Sequence, residues 1–334
     1  NKYDFPAILR DKQDRLAAAV ELYRRILADL SVSGRVGFYG KADQGRAWLL
    51  LNTLNVQLED IVVHADFDTT IIDEARATKD TSEAERIRQM GRRTCTIVER
   101  TLNCVRSHEF GDEILLQTDG TPLTIGRVHH EISQFIAEEG LEDPEGFIFS
   151  IGRDAGVPHS KGRAEDVVAL GKSIVFDIFP REAGGGYFFD MTRTFCLGYA
   201  PPEVADAHQD VKACTEMLLD AYEAGEEARH YQKMTCQFFE DRGHPTVSSD
   251  SKTEKGYVHG VGHGLGLAVH EEPRFSDDPT NNDLLQPGHV FTCEPGLYYP
   301  NLGFGVRIED VVWIDGDGAV HNLTDFPKDL VVDL

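Results

Sequence analysis

The sequence predicts an α+β protein with a small α/β domain over residues 1–77 and a larger domain over residues 78–334. Three observations carry that expectation. Apolar residues recur at helical spacing in several stretches, and strand-like apolar runs gather in the second half of the chain. Between the two regions, TKDTSEAERIRQM carries a helix-start signal, with Ser82 and Glu85 in a capping-box pattern. A chain of 334 residues can bury a core of this size.

In chain order, Leu16, Val20, Tyr23, Leu27 and Leu30 predict a helix within residues 11–30. VGFYG (36–40), AWLLLN (47–52) and DIVVHA (60–65) read as short strands. GKAD at 40–43 is not a phosphate loop, because that motif needs glycine at position 35, which is arginine. Ile87, Met90, Thr94, Ile97 and Val98 then form one face of a helix, and Val128, Ile132, Phe135 and Ile136 form another near 127–139. His129 and His130 on that second helix are read as surface or core histidines. Further helices are expected near 203–223 and 230–241, each followed by a glycine, Gly225 and Gly243. The expected strands are 172–179, 186–195, 289–299 and 306–314.

Charge excludes some partners. Fifty-seven acidic against 33 basic residues give a net charge of −24, unsuited to nucleic acid or an anionic membrane surface. No apolar run approaches the ~18–20 residues that would span a bilayer. The six cysteines form no C-x-x-C pair, which suggests reduced thiols and a cytoplasmic setting.

Two features point to chemistry. VHGVGHGLGLAVHEEP, 258–273, places His259, His263 and His270 among glycines at every second position from 260 to 266. Glycine is costly inside a helix, so the segment is expected to be extended, with its imidazoles converging on something compact. Four acids also interrupt apolar strands: Asp177, Asp190, Glu294 and Glu309. A carboxylate in such a place is expensive unless it is paired or binds a metal. Asp177 and Asp190 flank a turn containing Gly184, Gly185 and Gly186, so a hairpin brings them together, and Arg307 shares a strand face with Glu309. The expectation is a site in which Asp177, Asp190, His263, Glu294 and Glu309 surround two divalent ions, whose charge four carboxylates balance. One nitrogen among oxygens favours Mn²⁺, Co²⁺ or Fe²⁺, with Zn²⁺ also compatible. Two metals suit hydrolysis of an amide or of a phosphate ester.

FDIFPREAGGGYFFDMTRTF, HGVGHGLGLAVHEEP, CEPGLYY and GVRIEDVV together resemble the pita-bread-fold metallopeptidases: aminopeptidase P, prolidase, methionine aminopeptidase and the creatinases. The resemblance covers residues 78–334 and implies a pita-bread catalytic domain whose metal ligands are the five residues above, with Mn²⁺ the first candidate. It implies that His270 steadies the substrate amide and the tetrahedral intermediate, that His259 lines the pocket beyond the scissile bond and with His270 stabilises charge on the intermediate, and that His159 is a further active-site histidine. Glu294 is implied as a proton shuttle, and Arg307 and Tyr298 lie near the proline pocket of the Xaa-Pro branch. The implied activity is hydrolysis before proline, as a prolidase-like dipeptidase. The alternatives are an aminopeptidase P-like enzyme taking longer peptides and a non-peptidase, creatinase-like or binding, relative. A homodimer is implied as well. Two departures stand out: Asp177-Ile178-Phe179 replaces the usual D-x-G, and the interval to Asp190 is about two residues longer than common. The N-terminal part is also smaller than is usual in the Xaa-Pro branch.

Overall fold

A computed structural model describes residues 2–334. The chain divides into two compact units, one ending at Glu74 and one running from Ala75 to Leu334. The first contains α1 (Phe5–Lys12), α2 (Arg15–Asp29), β1 (Gly34–Gly37), α3 (Gln44–Gln57) and β2 (Ile61–His64), with β1 and β2 paired in parallel. The division falls inside α4 (Ile71–Ala77). Two expectations change here. The single helix over 11–30 is broken at Gln13, which adopts a left-handed φ of 55° and closes α1. AWLLLN belongs to a helix, α3, whose start is capped by the Asp43 carboxylate accepting from Arg46 N at 3.0 Å. A short apolar run fits strand and helix alike, and here the cap decides.

The second unit opens with α5 (Thr81–Arg106). Its capping box is built from Asp80 and Glu83, not from Ser82 and Glu85. Asp80 accepts from the backbone of Ser82 and Glu83, while the Glu83 carboxylate reaches back to Asp80 N at 2.8 Å. Next come β3 (Glu109–Gly111), β4 (Ile114–Leu116), α6 (Ile125–Glu138), β5 (Leu141–Glu142), β6 (Ile148–Ile151), β7 (Ser173–Ile178), β8 (Arg181–Glu182) and β9 (Met191–Leu197). Helices α7 (Pro202–Ala221) and α8 (Ala228–Glu240) precede β10 (His263–Gly264), β11 (Glu271–Arg274), β12 (Val290–Cys293) and β13 (Gly296–Tyr299). The chain finishes with β14 (Phe304–Arg307), β15 (Asp310–Ile314), β16 (Val320–Asn322) and β17 (Val331–Val332).

The two larger sheets have four strands in the order β17-β9-β7-β6 and five in the order β11-β10-β12-β15-β16, and β3-β4 and β5-β8 are small antiparallel pairs. β13 and β14 form a separate antiparallel pair. The runs read as single strands over 289–299 and 306–314 are therefore each broken in two, at Glu294-Pro295 and at Ile308-Glu309. Proline cannot donate to a ladder, which accounts for the first break. Asp190 likewise sits just before β9, not inside a strand. The arrangement is α+β in content, with α5 and α6 packed over the four-stranded sheet and α7 and α8 against the five-stranded one. All six cysteines are unpaired. Among the described residues no helix is long and apolar enough to cross a membrane.

One contact ties the core to the site. Gly91 lies buried in α5, and a Cβ there would come within 2.5 Å of the ring of Phe189, the residue before Asp190. Helix propensity favours alanine by about 1 kcal/mol, but overpacking a full core costs about 1–3 kcal/mol. Gly91→Ala is therefore expected to lower stability in urea unfolding; a gain would show that the Phe189 ring can yield.

Candidate active site

The acids are gathered by strand register. Ile148, Asp177 and Thr192 are Cα partners across β6, β7 and β9, so their side chains share one sheet face. Asp190, two residues before Thr192, returns to that same face, and the turn between the strands has left-handed φ angles at Gly184 and Gly185. A single bridge between Thr192 and Glu309 brings the second half of the chain against β9. Asp177, Asp190, Glu309 and Arg307 are all buried. They line one cavity of about 370 Å³ together with His159, His259, His263, His270 and Glu294. Of the residues singled out from sequence, only Tyr298 does not line it.

The Thr192 hydroxyl is a junction. It donates to Glu309 Oε2 at 2.7 Å and accepts from Arg307 Nε at 3.0 Å. Arg307 also donates to Asp177 Oδ2 at 2.5 Å, to Pro158 O at 3.2 Å and to the Tyr298 hydroxyl at 2.7 Å. Tyr298 is fully buried and reaches the cavity only through its neighbours. Behind this layer the buried Arg193 donates to the main-chain oxygens of Thr192 and Glu309, both at 2.9 Å, and to Asp310 Oδ1 at 2.8 Å.

The histidine segment is non-helical, as its glycines predict, but it is strand only at β10 and bends over residues 266–270 before returning as β11. A Cβ at Gly262 would lie 2.0 Å from the Thr292 carbonyl oxygen, so only glycine lets this segment lie so close to β12. His263 Nδ1 faces the Gly264 carbonyl at 3.1 Å; a carbonyl only accepts, so Nδ1 carries the hydrogen and Nε2 presents its lone pair. That Nε2 lies 3.5 Å from Glu294 Oε1 and 3.8 Å from Asp190 Oδ2. The His263 and His270 rings sit 4.3 Å apart, centroid to centroid. His259 is held at both nitrogens: Nδ1 donates to Gly260 O at 2.6 Å, and Nε2 accepts from the Tyr298 hydroxyl at 2.9 Å. His159 is exposed at the cavity edge, while His129 bonds the Phe149 carbonyl and His130 faces solvent, both away from the cavity.

Electrostatics set the protonation states. Burial, reinforced by the neighbouring carboxylates, raises Asp190 and Glu309 well above the usual range. Burial, with Asp177 adding to it, pushes Glu294 up to about 8. Burial lowers His259 and His263 to about 3, with Arg307 and His270 respectively the next contributors. Four carboxylates thus face a single guanidinium, and both Asp177 Oδ1 and Asp190 Oδ1 are buried without a hydrogen-bond partner. Orphaned carboxylate oxygens beside a neutral imidazole lone pair are a donor set that fits a divalent cation. The tightest group is Asp190, His263 and Glu309, whose donor atoms lie within 4.8 Å of one another.

Sequence reasoning missed Thr192, Arg193 and the apolar lining residues Ile148, Phe179 and Val269. A signal was available, since Thr192, Arg193 and Thr194 form a polar run inside a strand buried on both faces.

The model of metallopeptidase family M24 matches residues 85–316. YkvY of Bacillus subtilis (strain 168) is 32% identical over 254 residues, 70% of this chain and 65% of that protein. The Xaa-Pro dipeptidase of Pyrococcus furiosus is 29% identical over 203 residues, 60% of this chain and 53% of that one. The crystal structure of an X-Pro aminopeptidase from Thermotoga maritima superposes with a TM-score of 0.73 at 24% identity, covering 94% of this chain and 79% of its own, a likeness of fold. The chain spans about half to two thirds of the length of the curated relatives it matches.

Thr192→Val removes a hydroxyl that satisfies both Glu309 and Arg307, and is expected to cost about 1–3 kcal/mol in denaturant unfolding; no loss would show that the two groups re-pair without it. The raised carboxylates also predict a pH dependence. A carboxyl whose folded pKa is about 8 stabilises the fold below its unfolded value, and that contribution is lost as pH rises through 8. Histidines depressed to about 3 act only below their ordinary pKa near 6.5, so above that pH the carboxylates dominate. Chelator-treated protein should therefore melt lower at pH 9 than at pH 6.5. Saturating Mn²⁺ should flatten that slope, and equal slopes with and without the ion would contradict the assignment.

Proposed function

The chain belongs to metallopeptidase family M24, and from that premise we propose that it hydrolyses the peptide bond preceding proline, as an Xaa-Pro dipeptidase. The observation that carries the reading is the convergence of Asp177, Asp190, His263, Glu294 and Glu309 on one cavity that also holds His159, His259, His270 and Arg307. The same name stands on the Pyrococcus furiosus relative. The five acid and imidazole ligands would hold two divalent ions, with Mn²⁺ first and Co²⁺, Fe²⁺ or Zn²⁺ also suited to the donors. When bound, such ions polarise a carbonyl and make water acidic enough to act as a nucleophile near neutral pH.

The remaining work falls to the chain itself. His270, exposed beside His263, donates to the amide oxygen and holds the charge that develops there. Glu294, half-buried at the strand break, carries a proton to the leaving proline nitrogen. Arg307 fixes Asp177 and, through Tyr298, orients His259. With both its nitrogens engaged, His259 serves as a shaped wall for the proline ring more than as a donor, and Tyr298 positions it from behind. The substrate is a proline-containing di- or oligopeptide, and the working assembly is a homodimer.

An Xaa-Pro aminopeptidase acting on longer peptides is the second reading, favoured by the Thermotoga maritima fold likeness. Hydrolysis of an Xaa-Pro dipeptide beside an Xaa-Pro-Xaa tripeptide by Mn²⁺-loaded protein separates the two. Cleavage confined to the dipeptide is expected; preference for the tripeptide selects the aminopeptidase, and cleavage of neither refutes both. His270→Ala should lose turnover by more than about 100-fold while calorimetry still counts two ions per chain. Asp190→Ala should lose both turnover and ion binding, and retained binding would remove Asp190 from the ligand set.

A further inference from the structure

The cavity lining falls into two groups. His159, His259 and Arg307 belong together, because Arg307 bonds the carbonyl of Pro158 and, through Tyr298, reaches His259. Besides His263, His270 and the glycines of their segment, the non-acidic lining includes three apolar side chains: Ile148, Phe179 and Val269. Ile148 stands across from Asp177 in the β6–β7 ladder, Phe179 follows two residues after Asp177, and Val269 precedes His270. This wall therefore begins at the carboxylate cluster. Glu145, three residues before Ile148 in the loop between β5 and β6, lines the same cavity and is exposed to solvent.

We propose that Glu145 selects substrates whose residue before the scissile bond carries a long cationic side chain, arginine or lysine. The inference rests on the peptidase reading above, and it names the substrate class that reading leaves open. If the His259 side takes the proline ring, the residue preceding proline lays its side chain along the other wall. An apolar slot that opens on a carboxylate matches a side chain with an aliphatic stem and a charged tip. The Phe179 ring adds a face on which a guanidinium can rest. The Glu145 carboxylate is not engaged elsewhere: among the described residues it makes no ion pair. Lys161 Nζ donates at 3.0 Å to the main-chain oxygen of Glu145, not to its side chain. The net charge of −24 also favours the approach of a cation over that of an acidic peptide.

The test compares arginine with norleucine, which keeps the stem and lacks the charge. Uncleavable Arg-Pro and norleucine-Pro analogues, with the peptide bond reduced to a methylene amine, are titrated calorimetrically into Mn²⁺-loaded protein and into its Glu145→Gln and Glu145→Leu variants. Because Glu145 is exposed, an advantage of about fivefold for the arginine analogue is expected in the unaltered protein. It should vanish in Glu145→Gln and reverse in Glu145→Leu. Equal binding of the two analogues, or an arginine advantage that survives Glu145→Gln, overturns the proposal, as does failure of both to bind. In parallel, Ala-Pro and Arg-Pro turnover is measured on the unaltered protein. Cleavage of Ala-Pro with no arginine preference in KM sinks the proposal and leaves the peptidase reading standing. Binding with the expected preference but no cleavage of either peptide supports the proposal and sinks that reading.

Discussion

Four carboxylates packed around one guanidinium make the most demanding interaction in this protein. Burial alone would favour their neutral forms, and mutual repulsion adds to the demand. The fold meets it partly with Arg307, which engages Asp177 directly and Glu309 through Thr192. A second charged layer stands behind: Arg193 and Lys328 both pair with the fully buried Asp310, at 2.8 and 2.5 Å. Arg193 spends its other donors on main-chain oxygens of Thr192, Glu309, Phe326 and Pro327. The strands that carry the acids are thus clamped by hydrogen bonds that no apolar substitute could make.

The two strand breaks belong to the same solution. Inside a continuous strand a side chain can face only one of two directions. Glu294 and Glu309 instead sit where one strand has ended and the next has not begun, so each can turn toward the cavity while its neighbours fill the core. The glycines of the histidine segment do comparable work by letting two stretches of backbone nearly touch.

Much of this was legible in the sequence. Acids inside apolar runs and histidines among alternating glycines are costly patterns, and cost is what marks a site. The catalytic unit's helices were equally readable, because their apolar faces repeat over several turns. What escaped was decided by single local groups. AWLLLN became a helix because one carboxylate, Asp43, caps it, and the long strands broke where a proline or a change of partner intervened. Tyr298 was read beside the substrate because it lies near the right motif in sequence. Its position behind His259 depends on the β13–β14 pairing, which neighbouring residues do not encode. The role of Thr192 depends on Glu309 and Arg307, which reach its hydroxyl from 117 and 115 residues away.

That separation has a consequence for how the protein comes into being. The bridge between Thr192 and Glu309, and the bond from Arg307 to Asp177 across 130 residues, join parts of the chain made far apart in time. Pairings of such long range are slow to form because much loop entropy must be given up first. During synthesis the first two acids emerge long before the last two exist, so the partly made chain lacks part of the ligand set proposed above. Binding of an ion by that set would fall at the end of folding and would stabilise the finished domain.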